Sequence, residues 1–245
     1  MTNVIAHRGA REKAPQNTIP AFQLAIEMGA DGFENDVHLT KDGFLVVCHN
    51  HTIDETSNGT GAISDYTLEE LRKFDFGSYF SDEYAGTKIP TLDEFLDLCG
   101  GLKVINIEIK TPREKGTNIV RKTIQKVKEF GLFDNLIISC FTPDILIECK
   151  EIEPKTKTGI LYNPNVSFID EISEDYVGFA KKIKADALHP NIVFVDDEYV
   201  SNCHKAGLIV NPWTVNKPYV IESVRDCECD GVITDVPDLA RSIIG

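Results

Sequence analysis

No apolar run in this 245-residue chain approaches the length of a membrane-spanning helix, so no integral membrane segment is expected. Positive charge is also scarce. There are 25 Lys and Arg against 39 Asp and Glu, for a formal net charge of −14. A general nucleic-acid binder needs clustered Lys and Arg to neutralise phosphates, so no nucleic-acid partner is expected. A small anionic substrate stays open, because it answers to the charge of a local pocket, which a bound divalent cation can reverse. The seven cysteines lack paired metal spacing, and Cys227-x-Cys229 misses the two-residue gap of a zinc knuckle or redox motif. Odd, scattered cysteines point to a reduced, cytoplasmic compartment. The amino terminus reaches His7 too soon for a signal peptide. Internal repeats, coiled-coil heptads and low-complexity tracts are missing too, and the oligomeric state is left open.

What is present is the patterning of one well-filled core. Hydrophobic residues make up 42% of the chain and charged residues 26%, ordinary values for a globular protein. The length is close to the roughly 250 residues of one (β/α)₈ barrel. Apolar, β-rich runs recur at Val4–Arg8, Gly32–Val37, Phe44–His49, Val104–Lys110, Leu136–Phe141, Thr158–Tyr162, Ala185–Pro190, Leu208–Val215 and Gly231–Asp235. The second and third of these are joined by Asp42-Gly43, a strong hairpin signal. Helical spacing is found at Thr18–Gly29, Leu92–Cys99, Asn118–Phe130, Asp144–Ile152, Ile172–Lys184, Asp197–Ala206 and Tyr219–Asp226. Strand and helix alternating about eight times predict an α/β fold, a TIM (β/α)₈ barrel, spanning 1–245 as one domain. Residues 51–88 break the rhythm, with one short helix near Thr67–Phe74 and aromatics at Phe76, Tyr79, Phe80 and Tyr84. They are expected to form a small insertion after the second strand, either a packed subdomain of its own or, by a slight preference, a lid over the substrate's alcohol group.

Polar groups collect where the apolar runs end: His7-Arg8, Glu34-Asn35-Asp36, His49-Asn50 and Glu108-Ile109-Lys110. In a parallel barrel the reactive groups come from the carboxyl ends of strands. Side chains two apart on a strand share a face, so Glu34 projects with Asp36, and Glu108 with Lys110. Three carboxylates at one mouth repel one another unless a cation or protons intervene. An all-oxygen set favours a hard ion, Ca²⁺ or Mg²⁺, over zinc. An isolated Glu-x-Asp is more often one half of an ordinary ion pair, and Glu108 with Arg8 or Lys110 is such a pair here. With histidines at neighbouring strand ends the cluster is better explained as an active site. His7 and His49 suit general acid/base work near neutral pH. His38 and His51 are read first as structural, although His38 shares a face with the carboxylates and could support them, and His51 shares one with His49. His189 and His204 are expected to be structural.

Together these residues resemble the glycerophosphodiester phosphodiesterase family. The similarity is carried by Ile5-Ala6-His7-Arg8-Gly9, by Pro15-Gln16-Asn17-Thr18, and by Gly32-Phe33-Glu34-Asn35-Asp36-Val37-His38-Leu39-Thr40-Lys41-Asp42-Gly43. It continues through Val47-Cys48-His49-Asn50 and Asn58-Gly59-Thr60-Gly61, with weaker echoes at Glu108-Ile109-Lys110, Pro212-Trp213 and Asp230-Gly231 to Asp235. The resemblance implies that Glu34, Asp36 and Glu108 hold one divalent cation and that His7 and His49 are the acid and base. Arg8 and Lys110 would hold phosphate, and Trp213 would pack on the glycerol or alcohol side. It implies a small-molecule glycerophosphodiester substrate, cleaved to glycerol 3-phosphate and an alcohol. The implied route has a metal-activated glycerol hydroxyl attacking phosphorus, and water then opening the cyclic phosphate.

Three positions depart from the family pattern: Gln16 where glutamate is usual, Asn50 where aspartate is usual, and Glu55 where arginine is frequent. Gln16 and Asn50 make the surroundings of the carboxylates less acidic, and Asn50 bears on acid/base tuning. Asp235, at a strand end before a helix, could touch phosphate but is expected rather to be an N-cap. Two other functions compete with the hydrolase. One is a phospholipase D-like activity on lysophospholipids, and the other is a non-catalytic module that binds phosphate esters.

Overall fold

Phe33 and Glu34 point to opposite sides of one strand, and that alternation orders the molecule. The computed structural model describes residues 1–110 and 118–245. In chain order the strands are β1 (Asn3–His7), β2 (Gly32–Leu39), β3 (Leu45–Val47), β4 (Val104–Ile109), β5 (Leu136–Cys140), β6 (Lys157–Tyr162), β7 (Ala187–Pro190), β8 (Ile209–Val210) and β9 (Gly231–Thr234). The sheet runs β8-β7-β6-β5-β4-β2-β1-β9, with every neighbouring pair parallel, and β3 lies antiparallel on β2. Phe33 packs outward, its ring 5.2 Å from Phe22 and 5.9 Å from Phe95. Those partners sit on α1 (Ile19–Glu27) and α3 (Leu92–Leu96), separated from α1 by the single turn α2 (Leu68–Leu71). Both faces of β2 are buried over seven of its eight residues, as expected of a parallel strand lined by helices.

The remaining helices are α4 (Ile119–Glu129), α5 (Pro143–Ile152), α6 (Ile169–Glu174), α7 (Tyr176–Lys182), α8 (Asp197–Lys205), α9 (Pro218–Asp226) and α10 (Pro237–Ile244). The eight parallel strands close into a TIM barrel. Its last seam is made where Asp230 N–H donates to the Val210 carbonyl, Ile233 N–H to that of Pro212, and Val215 N–H to that of Ile233 (each 3.0 Å). The expected strand Leu208–Val215 shortens to two residues, because Pro212 has no N–H to give a regular ladder. Its extended path nevertheless completes the barrel.

Two further expectations change. The helix expected over Ile172–Lys184 is two helices broken at Asp175, whose carboxylate accepts from the Gly178 N–H (2.7 Å) and caps the second. The helix expected near Thr67–Phe74 is one turn, started by a reciprocal Thr67–Glu70 capping box. Around it Val46, Cys48, Ile53, Ile63, Leu71, Phe76 and Ile89 form a second, smaller hydrophobic cluster. The Asp42-Gly43 hairpin forms as expected, with Thr40 Oγ1 donating to Asp42 and accepting from the Phe44 N–H.

Inside the barrel His189 lies against Gly159, where a Cβ would come 2.8 Å from its Nε2. Burial alone pushes the ring down to about 3. Its folded value lies below the unfolded value of about 6.5. Its contribution to stability is therefore complete above pH 6.5 and is lost as the pH falls toward 3. Between pH 6.5 and 5 the loss is about 2 kcal/mol. Urea midpoints measured over this range should fall less steeply with acidification in His189→Gln than in the parent. Parallel slopes would show that the ring is not held neutral.

Candidate active site

The site starts from a tight turn at the end of β1. Arg8 and Gly9 both have positive φ (58° and 81°), and a Cβ on Gly9 would meet the Ala21 backbone at 2.6 Å. Only glycine tolerates that position. The turn swings Arg8 across the mouth, so that Nε lies 3.4 Å from Asp36 Oδ2 while Nη1 donates to Gln16 Oε1 (2.7 Å). Asn17, another positive-φ residue, donates from Nδ2 to the same Asp36 oxygen (2.7 Å). No local pattern singles out Asn17. The signal was its place in the Gln16-Asn17-Thr18 run.

Strand register places the carboxylates. Glu34 and Asp36 on β2 lie beside Asn106 and Glu108 on β4. One donor oxygen from each of Glu34, Asp36 and Glu108 lies within 4.8 Å of the others, and all three residues are buried. Lys110 Nζ bridges two of them, 2.8 Å from Asp36 Oδ1 and 2.6 Å from Glu108 Oε1. The ion pair foreseen between Glu108 and Lys110 thus exists within the carboxylate cluster, not in place of it.

Electrostatics divides the three acids. Burial, reinforced by the charge of Asp36, pushes Glu34 well above the carboxylate range. Burial likewise lifts Glu108 to about 7, against the pull of Lys110. Asp36 moves the other way. Burial opposes its ionisation, yet Lys110 and then Arg8 hold it well below the usual range. Lys110 is itself raised, since Asp36 and Glu108 outweigh its burial. The site therefore has more acceptor oxygens than positive charge. Glu34 Oε2 is buried without a hydrogen-bond partner. Three carboxylates in reach of one point, one with an orphaned oxygen, fit a hard divalent cation.

Both histidines stand beside this cluster with their Nδ1 atoms engaged. His7 Nδ1 lies 2.6 Å from Asp235 Oδ1, and its Nε2 is 3.8 Å from Glu34 Oε2. His49 Nδ1 lies 2.6 Å from Asn50 Oδ1. Burial lowers both rings. His7 is drawn below its ordinary value despite Asp235, and His49 falls to about 4 despite Asp36. His38 stands behind the site, as expected of a supporting group. Its Nε2 is 3.3 Å from the His49 carbonyl, its ring packs edge-on against His51 at 4.9 Å, and burial takes it down to about 3. His204 pairs with Asp230 (2.9 Å), away from the mouth.

A cavity of ≈ 270 Å³ joins these groups. His7, Arg8, Glu34, His49 and Glu108 form its polar side, and Phe141, Leu161, Trp213 and Ile233 its apolar wall. Trp213 therefore faces the cavity, with Nε1 tied to the His189 carbonyl (2.8 Å) and its edge against Phe141 (5.5 Å). A second cavity of ≈ 440 Å³ shares His49, Glu108 and Phe141 with the first and extends past Lys110 toward His51 and Thr52. Of the two readings of residues 51–88, the contacts support the packed subdomain. Phe76 is buried in the smaller cluster. Tyr79 accepts the Gln16 N–H (3.1 Å) and Tyr84 donates to the Lys13 carbonyl (3.0 Å), so both brace the loop that follows β1.

Asp235 corrects another expectation. Val236 is the residue at the start of α10, and no side chain caps it. Asp235 instead binds His7 and accepts from Asn216 Nδ2 (2.7 Å), while Asn216 Oδ1 takes the Asp235 N–H (2.9 Å). The pairing spans 228 positions, so local sequence pattern favours the cap.

Fold and site define a class: a (β/α)₈-barrel enzyme whose carboxylates, cations and histidines converge at the carboxyl ends of its strands. The chain belongs to the Glycerophosphoryl diester phosphodiesterase family, which it matches over residues 7–239, a family of phosphoric diester hydrolases. A glycerophosphodiester phosphodiesterase of Caldanaerobacter subterraneus subsp. tengcongensis is 40% identical over 244 residues, covering 99% of this chain and 98% of the relative. An Oleispira antarctica phosphodiesterase, solved with its product sn-glycerol-3-phosphate, superposes with a TM-score of 0.90 at 28% identity, covering 100% of this chain and 97% of that one. A glycerophosphodiester phosphodiesterase of Thermotoga maritima has a TM-score of 0.80 at 32% identity, over 99% and 98% of the two chains.

Asp235→Ala separates the two readings of that residue. Loss of a cap would cost about 1 kcal/mol of stability with turnover unchanged. Loss of the His7 partner should instead cut turnover about 10- to 100-fold, measured as kcat beside the thermal midpoint.

Proposed function

We propose that the chain hydrolyses glycerophosphodiesters to sn-glycerol 3-phosphate and an alcohol, with one divalent cation, Ca²⁺ or Mg²⁺, at Glu34, Asp36 and Glu108. The observation that carries the reading is that Glu34 and Glu108 line one cavity with Arg8, His7 and His49, and that Asp36 lies buried with an oxygen within 4.8 Å of theirs. Relatives named for this activity match nearly the whole chain, and a structural neighbour was solved with the corresponding product. When bound, the cation supplies Lewis acidity toward a phosphoryl oxygen and lowers the pKa of a coordinated hydroxyl.

The chain's own residues do the rest. Arg8 and Lys110 place positive charge where the phosphate enters and where charge grows during transfer. The apolar wall of Phe141, Leu161, Trp213 and Ile233 holds the carbon skeleton beside the polar groups and keeps bulk water away. The two cavities meet at His49, Glu108 and Phe141, which leaves room for the two halves of a diester on either side of phosphorus. His7 has a carboxylate at Nδ1 and is equipped to carry a proton to the leaving oxygen. His49 has a neutral amide there and is equipped to accept one. In this reading residues 1–245 act as one unit, and 51–88 form an insertion that braces the mouth. No helix among the described residues is long and apolar enough to cross a membrane.

Metal-stripped protein should regain release of glycerol 3-phosphate from glycerophosphocholine or a related diester on adding Mg²⁺ or Ca²⁺. His7→Ala and His49→Ala should each lose at least about 100-fold in kcat with the fold intact. Wild-type turnover in both variants would sink the assignment. Faster release of lysophosphatidic acid from lysophosphatidylcholine would replace it with the lipid-directed activity.

A further inference from the structure

Beside His49 stand two further side chains, Asn50 at the wall of the second cavity and Glu55, which lines neither cavity. Asn50 Oδ1 is 2.6 Å from His49 Nδ1, and Asn50 Nδ2 donates to Glu55 Oε2 at 2.6 Å. Asn50 is half-buried and Glu55 exposed. The backbone under the ring is fixed separately, by His38 at the His49 carbonyl and by the Cys48 N–H on the Asp36 carbonyl (3.0 Å).

The donor and acceptor rules leave this chain one arrangement. A glutamate carboxylate only accepts, so it takes the amide nitrogen of Asn50. The amide oxygen must then face His49, and an oxygen can only accept, so Nδ1 must carry a proton. In a neutral imidazole the other nitrogen is then bare. With Nδ1 taken by Asn50, Nε2 is the nitrogen left to serve the cavity that His49 lines with Arg8, Glu34 and Glu108.

We propose that Glu55, acting through Asn50, is a positioning residue that locks neutral His49 in the Nδ1–H tautomer and presents a bare Nε2 to the substrate. The proposal rests on the hydrolase reading above. It adds a residue that touches neither substrate nor metal ligand and a hydrogen-bond chain that works through a neutral amide. Charge is not relayed along it, because an amide neither takes nor gives a proton here. What passes is orientation: Glu55 decides which way the amide faces, and the amide decides which imidazole nitrogen keeps its hydrogen.

The test is Glu55→Arg. A guanidinium only donates, so it must claim Asn50 Oδ1 and turn the amide nitrogen toward His49. Nδ1 then becomes the acceptor, and the ring proton moves to Nε2, the nitrogen that should accept. Nitrogen-15 NMR of the side chains at pH 7.5 should show His49 as Nδ1–H in the parent and Nε2–H in the variant. With glycerophosphocholine, kcat should fall about 10- to 100-fold, and KM should change much less, since Glu55 lines neither cavity. The double variant Asn50→Asp/Glu55→Arg should restore the parent tautomer and most of kcat, because a carboxylate accepts from both neighbours. An unchanged tautomer in Glu55→Arg, or a loss of kcat that the double variant does not repair, would overturn the proposal. The NMR result needs no turnover. A parent that is Nδ1–H but inactive would therefore contradict the hydrolase reading alone.

Discussion

Three buried carboxylates cannot share a mouth a few ångströms wide without positive charge among them, and the rest of the site follows from that constraint. Lys110 bridges Asp36 and Glu108, and Arg8 closes on Asp36 from the other side. These two cations keep Asp36 ionised, while burial pushes Glu34 and Glu108 toward their neutral forms. A divalent cation would complete the balance, since it would ionise the two reluctant acids by binding them. The left-handed turn at Arg8-Gly9, the Asn17 amide on Asp36 and the register of β2 with β4 all serve to hold these charges in place.

Around that centre the histidines are set apart by their partners. Asp235 arrives from the end of β9, the strand beside β1 in the closed barrel, and gives His7 a carboxylate. Asn50 comes from the residue next to His49 and gives it an amide. Burial lowers both rings, but only His7 has a charged partner to support its imidazolium. One fold thereby gives two chemically equal side chains unlike surroundings, through the nature of a single contact each.

Much of this was legible in the sequence because it is local. The period of two along Glu34-Asn35-Asp36 and Glu108-Ile109-Lys110 placed the polar groups on one face, and apolar runs ending in His7 and His49 placed them at strand ends. The alternation of strand and helix was enough for the barrel. Features set by distant contacts were less legible. Asp235 looks like a cap until the closing of β9 onto β1 brings it to His7. The helical spacing over Ile172–Lys184 hides the break at Asp175, because its cap bond competes with helix continuation only once the flanking turns are formed. The strand over Leu208–Val215 loses its ladder at Pro212 yet keeps its course, which depends on hydrogen bonds to β9. The short helix α10 lacked a following strand to frame it and was missed. The aromatics of 51–88 left a lid and a packed subdomain both open, and only the folded chain shows Tyr79 and Tyr84 joining their hydroxyls to the loop after β1.

We propose that Glu34, Asp36 and Glu108 together make one site for a hard divalent cation. Calorimetric titration of the metal-stripped protein with Mg²⁺ and with Ca²⁺ tests it without relying on turnover. One cation should bind per chain, and Glu34→Gln, Asp36→Asn and Glu108→Gln should each weaken that binding by at least about tenfold. Failure of either ion to bind, or binding that all three substitutions leave unchanged, would contradict the account.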